Sequence, residues 1–290
     1  MDIIGGSSSQ LLASRIASES GARLILTEFK EFPDGEQYTR ILGRPGSDVV
    51  IVQSTVTDSD FITLLQLIDA CEGAEKLTVV VPYMGYARQD RRFKEGEAVT
   101  SRALARAINA DQVILVNIHN EGVLRYFNVP VENLDATRII GEYLRDMRLP
   151  NPIVIAPDGG AMGIARSAAE IIGTEYDYLE KRRLSGDEVT ITPKNLDIEE
   201  RDIILIDDII STGGTISEAI TVFKSRASSI HVACVHPVLT GNAVLRLFHA
   251  GVRSITSTDT IEKGTSTVSV APLIAERLRQ NNQNNYNNYR

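Results

Sequence analysis

Cysteine is scarce in this chain, positive charge is outnumbered, and no apolar stretch is long. Among 290 residues there are two cysteines, Cys71 and Cys234. Two thiols build neither a disulfide framework nor a cysteine-rich metal cluster, and such scarcity suits a reducing compartment. Each lies beside an apolar segment, where cysteine acts as a small buried hydrophobe. Lys and Arg number 30 against 38 Asp and Glu, for a formal charge of −8. An acidic chain lacks the overall field that holds nucleic acid or an anionic membrane, though a local basic site stays open to it. No apolar run approaches the ~18–20 residues that cross a bilayer. The opening Met1-Asp2-Ile3 also lacks the charged-then-apolar pattern of a signal peptide. These absences point to a cytoplasmic protein with neither nucleic acid nor membrane as partner.

What is present is ordinary globular material, 43% hydrophobic and 23% charged, long enough for roughly two domains. Short β-branched runs recur at Asp48–Gln53, Leu77–Pro82, Gln112–Asn117, Pro152–Ala156, Asp202–Asp207 and Ile230–Val235. They are continuously apolar, as strands of a parallel sheet covered on both faces must be. Between them, Ser59–Gly73, Ala98–Asn109, Met162–Ile172 and Thr215–Ser225 carry apolar residues at helical spacing. Strand and helix in alternation predict an α/β fold with mainly parallel sheets flanked by helices. The stretch from Val50 to Pro82 is echoed by Ile204 to Pro237 at an offset of about 154 residues, which suggests two related domains. Pro150 and Pro152 place the join near 148/149, giving domains 1–148 and 149–280. The Asn-rich residues 281–290 bury too little to order themselves and are expected to form a mobile tail.

The most informative stretch is DIILIDDIISTGGT, residues 202–215. A buried strand delivers two acids, Asp207 and Asp208, then a small-residue turn, Ser211-Thr212-Gly213-Gly214-Thr215, into a helix. Backbone N–H groups of such a turn cradle a phosphate, glycine allows close approach, and the hydroxyls add donors. Carboxylates at the strand end suit sugar hydroxyls, so the combination suggests a sugar phosphate. A second glycine turn, Asp158-Gly159-Gly160-Ala161, suits a diphosphate or a sugar-bound magnesium ion. Lys181-Arg182-Arg183, followed by Leu184 to Glu188, reads as a flap bringing positive charge onto a transferring phosphate. In the first half, Arg88-Gln89-Asp90-Arg91-Arg92 and Lys94 follow a strand and suit a polyphosphate, Glu28–Thr39 contains a Pro-Asp-Gly turn, and His119 closes another strand.

DDIISTGGT resembles the ribose-5-phosphate signature of the type I phosphoribosyltransferase fold. Together with IGGSSSQLLA, FPDGE at 32–36, PYMGYARQDR at 82–91, NIH at 117–119, PDGG at 157–160 and KRR at 181–183, it resembles the ribose-phosphate pyrophosphokinase family. The likeness runs the length of the chain up to the Asn-rich tail. It implies a tandem of two phosphoribosyltransferase-type domains that uses Mg2+, ATP and ribose 5-phosphate. Phe32, Asp34 and Glu36 would hold adenine, supplied by a neighbouring subunit of a homo-oligomer that is at least a dimer. Arg88, Gln89 and Asp90 would contact the nucleotide. His119 would sit at the metal–phosphate centre and Asp158 near the ribose-side metal, while Lys181, Arg183 and His119 would serve catalysis. Asp207 and Asp208 would take the ribose hydroxyls, and Ser211, Thr212, Gly213, Gly214 and Thr215 the 5-phosphate. Two positions depart from the family pattern, Asn117 and Phe93, where acids commonly stand. A phosphoribosyltransferase shares the DDIISTGGT turn but needs one such domain and no ATP segment. A non-catalytic regulatory member of the family is the other alternative.

Overall fold

The computed structural model describes the backbone of residues 1–185, 188–193 and 197–288, and the side chains of 1–180 and 197–281. It divides into two units. The first comprises Met1–Asp135, Thr260–Glu262 and Ser269–Arg290, and the second Ala136–Asp259 with Lys263–Val268.

In the first unit, β1 (Asp2–Gly5), α1 (Gln10–Ser20), β2 (Arg23–Glu31), β3 (Gln37–Leu42), β4 (Asp48–Val52), α2 (Asp58–Asp69), β5 (Lys76–Val81), α3 (Thr100–Ala107), β6 (Gln112–Val116) and β7 (Val131–Leu134) come in order. The strands lie as β3-β2-β1-β4-β5-β6-β7. All neighbours are parallel except β2 and β3. Val49 to Val52 and Val79 to Val81 are buried at consecutive positions, because both faces of the sheet are covered. Ile4, Ile51, Leu64, Leu67, Val79 and Leu115 centre the core on one side.

The second unit holds α4 (Thr137–Asp146), β8 (Pro152–Ala156), α5 (Met162–Ile172), β9 (Tyr176–Ser185), β10 (Glu188–Pro193), β11 (Asp202–Ile210), α6 (Gly214–Phe223), β12 (Ser229–Pro237), α7 (Ala243–Ala250), β13 (Ser254–Thr258) and β14 (Ser266–Val268). Its strand order is β10-β9-β8-β11-β12-β13-β14, the order of the first sheet repeated, with its single antiparallel pair again at the hairpin. Phe223, Ile203, Leu205, Ile220 and Leu247 are the heart of its core. Truncating a fully buried Phe223 to Ala costs about 3–5 kcal/mol. Cys71 and Cys234 are both free and buried, and burial pushes the Cys71 thiol up to about 11. Among the described residues no helix is long and apolar enough to cross a membrane.

Both hairpins project beyond their sheets. β2 pairs with β1 only over Arg23–Ile25 and then continues to Glu31 with β3 alone. β9 pairs with β8 only over Tyr176–Tyr178 and then continues with β10. At ~3.3 Å per residue, six further residues make a ribbon of roughly 20 Å.

The division differs from the one expected at 148/149. Helix α4 packs in the second unit, so tightly against α5 that a Cβ on Gly141 would lie 3.0 Å from Ile171. After β14 the chain returns to the first unit as α8 (Ala271–Asn288). There Arg277 Nε meets both Glu132 oxygens at 2.7 and 2.6 Å, and Arg279 Nη1 donates to Glu19 O at 2.7 Å. Residues 281–288, expected as the start of a tail, continue this helix. With Ile274, Ala275 and Leu278 buried the helix is already nucleated, and each added residue brings one hydrogen bond at little further cost.

Candidate active site

The small-residue turn of the second unit lies between the end of strand β11 and the uncapped start of helix α6. Strand β11 runs further than its apolar residues predict, carrying Asp207 and Asp208 inside it in register with β12. Burial, foremost, pushes the Asp207 carboxyl up to about 8, helped by the hydrogen bond and negative charge of Asp208 and the charge of Asp158. Asp158 follows β8, the strand paired with β11, so its charge acts on the Asp207–Asp208 pair. Beyond them Gly213 takes φ +69, a left-handed conformation that glycine enters without penalty, and begins α6 with no side-chain cap. The first helical bond is Ser217 N to Gly213 O, so the preceding amides lie outside the helical ladder.

A second layer holds the turn. Leu239 N donates to Ile210 O at 2.9 Å and Thr240 N to Ser211 O at 3.1 Å. Ser211 Oγ and Thr240 Oγ1 are 3.4 Å apart. From α7, Arg246 Nη1 donates to Thr212 O at 3.2 Å.

The other glycine turn is built differently. Asp158 Oδ1 accepts from Gly160 N at 2.8 Å and Ala161 N at 3.3 Å. Two of the turn's amides are thus engaged by its own carboxylate, whose oxygens also suit a cation or hydroxyls.

The cationic segment expected as a loop flap is a strand instead. Lys181, Arg182 and Arg183 belong to β9, opposite Ile191, Thr190 and Val189 of β10. The hairpin pairs with the sheet only over Tyr176–Tyr178, so beyond that point its sequence need not follow the pattern of a sheet strand. The side chains of Lys181 and Arg183 lie outside the described residues.

In the first unit, Phe32, Asp34 and Glu36 are exposed at the tip of the β2–β3 hairpin. Phe32 N donates to Glu36 O and Gly35 N to Phe32 O, both at 2.8 Å, closing the tip. Phe32 stands edge-on to Tyr38, with centroids 6.2 Å apart. Arg88, Gln89 and Asp90 come after β5, which is separated from β2 in the sheet by β1 and β4. Gln89 Oε1 accepts from Thr100 Oγ1 at 2.6 Å. Gln89, Arg91, Phe93, Glu97 and Ala98 line a pocket of about 330 Å³. In it the Arg91 guanidinium lies 5.0 Å from the Phe93 ring. Glu97 Oε2 accepts from Phe93 N at 2.8 Å and Lys94 N at 3.1 Å, so the departure at Phe93 sits on a loop folded around that carboxylate.

His119 is exposed beyond β6, between two asparagines that each hold an acid. Asn117, at φ +38, donates to Asp135 Oδ1 at 2.9 Å, and Asn120 donates to Asp90. The second contact brings the Arg88–Asp90 segment to the His119 strand end. Asp135 was not a candidate from sequence. It lies 18 residues from Asn117 and is brought there by β6–β7 pairing, which no local pattern announces.

A repeated sheet with an acid pair and an open glycine turn on one copy defines a tandem of phosphoribosyltransferase type. Family models agree half by half: residues 1–111 match the N-terminal domain of ribose phosphate pyrophosphokinase and 122–267 the phosphoribosyl transferase domain. A ribose-phosphate pyrophosphokinase of Methanosarcina mazei is 56% identical, covering 96% of this chain and 95% of its own. That of Methanosarcina acetivorans is 54% identical over 97% and 100%. The crystal structure of phosphoribosylpyrophosphate synthetase from Mycobacterium smegmatis superposes with a TM-score of 0.85 at 25% identity, over 97% of this chain and 98% of that one. The chain belongs to the ribose-phosphate pyrophosphokinase family and is an enzyme.

Proposed function

We propose that this chain transfers the β,γ-diphosphoryl group of ATP to the anomeric hydroxyl of ribose 5-phosphate, giving phosphoribosyl diphosphate and AMP. The observation that carries the reading is the open turn at Gly213 beside the Asp207–Asp208 pair. Backbone N–H groups of residues 211–215 and the Ser211, Thr212 and Thr215 hydroxyls bind the 5-phosphate. Asp207 and Asp208 accept from the ribose hydroxyls and so orient the anomeric oxygen. Arg88, Gln89, Asp90 and His119 bind the nucleotide. Phe32, Asp34 and Glu36, at the tip of a projecting hairpin, clasp the adenine bound by a neighbouring subunit, which makes the enzyme a homo-oligomer of at least two chains.

The anomeric oxygen bonds to the β-phosphorus as the bond from that phosphorus to the bridging oxygen of AMP breaks. AMP leaves with the electron pair, and the hydroxyl proton is released. Such transfers depend on in-line positioning and charge neutralisation rather than on a protein nucleophile. Lys181 and Arg183 neutralise charge on the transferring group. Among the described residues no group of three or more His, Cys, Asp or Glu side chains is arranged to hold a metal alone. A nucleotide-borne Mg2+ takes one or two protein ligands beside phosphate and water oxygens. The hard oxygens of Asp158 and the crowded acids near it fit that demand, as does His119 at the nucleotide end. When bound, Mg2+ neutralises the phosphates and draws electrons from the attacked phosphorus.

The test is product identity. AMP formed from ATP only when ribose 5-phosphate is present is the expected result. ADP as product, or AMP release independent of the sugar, overturns the reading. A phosphoribosyltransferase would instead consume phosphoribosyl diphosphate, which the same assay separates.

A further inference from the structure

We infer that Arg246, on α7, is a positioning residue for the sugar-phosphate turn, acting through the carbonyl of Thr212. The inference rests on the reading of that turn as the 5-phosphate site and adds a residue to it. Arg246 Nη1 donates to Thr212 O at 3.2 Å, and Nη2 donates to Asn242 Oδ1 at 3.2 Å, at the N-cap position of the same helix. The planar guanidinium is therefore anchored at two points, one on its own helix and one on the turn. A peptide unit is planar and trans, so the C=O of Thr212 and the N–H of Gly213 point in opposite directions. Fixing the carbonyl on Arg246 fixes the Gly213 N–H on the far side, away from α7. Gly213 has no side chain and a positive φ, so nothing in the residue itself sets that peptide's orientation. The guanidinium also lies beside α6, its Nη1 3.8 Å from where a Cβ on Gly214 would be.

The test is binding of ribose 5-phosphate and, separately, of ATP to the full-length enzyme by calorimetry, with R246A, R246K and N242A. A hydrogen bond to a charged group corresponds to about a tenfold change or somewhat more in an equilibrium. R246A is expected to weaken ribose 5-phosphate about tenfold or more while ATP affinity stays within twofold, a split that general loosening of the fold would not produce. R246K keeps the charge but not the fork, and is expected to recover less than half of the loss in binding free energy. N242A, which leaves Arg246 in place but removes its anchor, should weaken the sugar phosphate alone, by about two- to fivefold. Recovery by lysine to within twofold of wild type would overturn positioning in favour of charge. Unchanged sugar-phosphate binding in R246A, or in N242A where R246A does not fold, would overturn the inference while leaving the proposed function intact. Wild-type enzyme that binds no ribose 5-phosphate would defeat the proposed function first.

Discussion

Strands β4 and β11 occupy the same place in two copies of one sheet, yet the segments they lead into are opposite in character. β11 carries an acid pair near its end and leads into a left-handed glycine and a helix start with no side-chain cap. After β4, Gln53 and Ser54 stand where the acids stand. Gln53 is fully buried, its Oε1 accepting from Ser8 N at 3.2 Å and its Nε2 donating to Asp60 O at 3.1 Å. Helix α2 then closes with a full capping box: Asp60 N donates to Thr57 Oγ1 at 3.2 Å, and Thr57 N to Asp60 Oδ2 at 2.8 Å. An anion arriving there would find donors engaged and two carboxylates, Asp58 and Asp60, in the first turn. One scaffold thus leaves the helix N-terminus unfinished in one copy and capped in the other. The closed copy gains a cap of roughly 0.5–2 kcal/mol in exchange.

The largest effects should come from the projecting arm of the second unit. K181A and R183A are expected to lower kcat about a hundredfold or more, as loss of a charge-stabilising group does, with ribose 5-phosphate affinity near wild type. Turnover within a few-fold of wild type in both would remove the arm from the chemistry. G213V sharpens the comparison directly, since a β-branched residue is an outlier at φ +69. It should raise the dissociation constant for ribose 5-phosphate at least tenfold while leaving ATP binding alone. Normal sugar-phosphate binding would mean the turn does not depend on that conformation.

Much of this contrast was readable beforehand, for physical reasons. Continuous apolar strands such as Pro152–Ala156, and helices whose apolar spacing meets no competing signal such as Met162–Ile172, appear with the limits expected. The echo at about 154 residues corresponds to a repeated strand order. The arms were harder. Strand β9 runs past its pairing with β8 and continues with β10 alone, so its sequence lacks the pattern of a sheet strand, and Lys181–Arg183 read as loop. The acid pair was legible, but not that β11 continues through it to Ile210. Arg246 carried no signal, because only the placement of α7 beside the start of α6 gives it a partner at Thr212. Helix α8 was hidden by asparagines, whose low helix propensity is offset by contacts such as Asn281 to Gln112 at 2.8 Å.

The crowded acids provide a pH test of the open copy. An ordinary Asp loses its proton near 3.8, whereas Asp207 keeps its own up to about 8. The folded state therefore binds this proton more tightly than the unfolded chain. The stabilisation is full below about pH 4 and is lost as pH rises through 8. D207N carries no such proton, so the difference in Tm between D207N and ligand-free wild type should widen in favour of the variant from pH 5 to pH 8.5. A constant difference would mean that Asp207 is ionised throughout and that the carboxylates do not crowd.

The smallest expected effect bears hardest on the comparison, because it asks whether capping alone separates the two copies. T57A with D60G removes both halves of the α2 box and brings a glycine to the place matched by Gly214. Loss of the cap should lower stability by about 1 kcal/mol, roughly 2–4 °C in Tm for a domain of this size. Freed amides are not yet a site. Gln53 remains buried where an acid would meet a sugar, Ser59 stands where Gly213 turns left-handed, and Asp58 is still in the first turn. Inorganic phosphate titrated into this variant, followed by the amide resonances of residues 57–61, should produce no saturable shift. If phosphate did saturate there at millimolar concentration, the open helix end would be sufficient by itself. The acid pair and the left-handed glycine of the second unit would then serve the sugar rather than create the anion site.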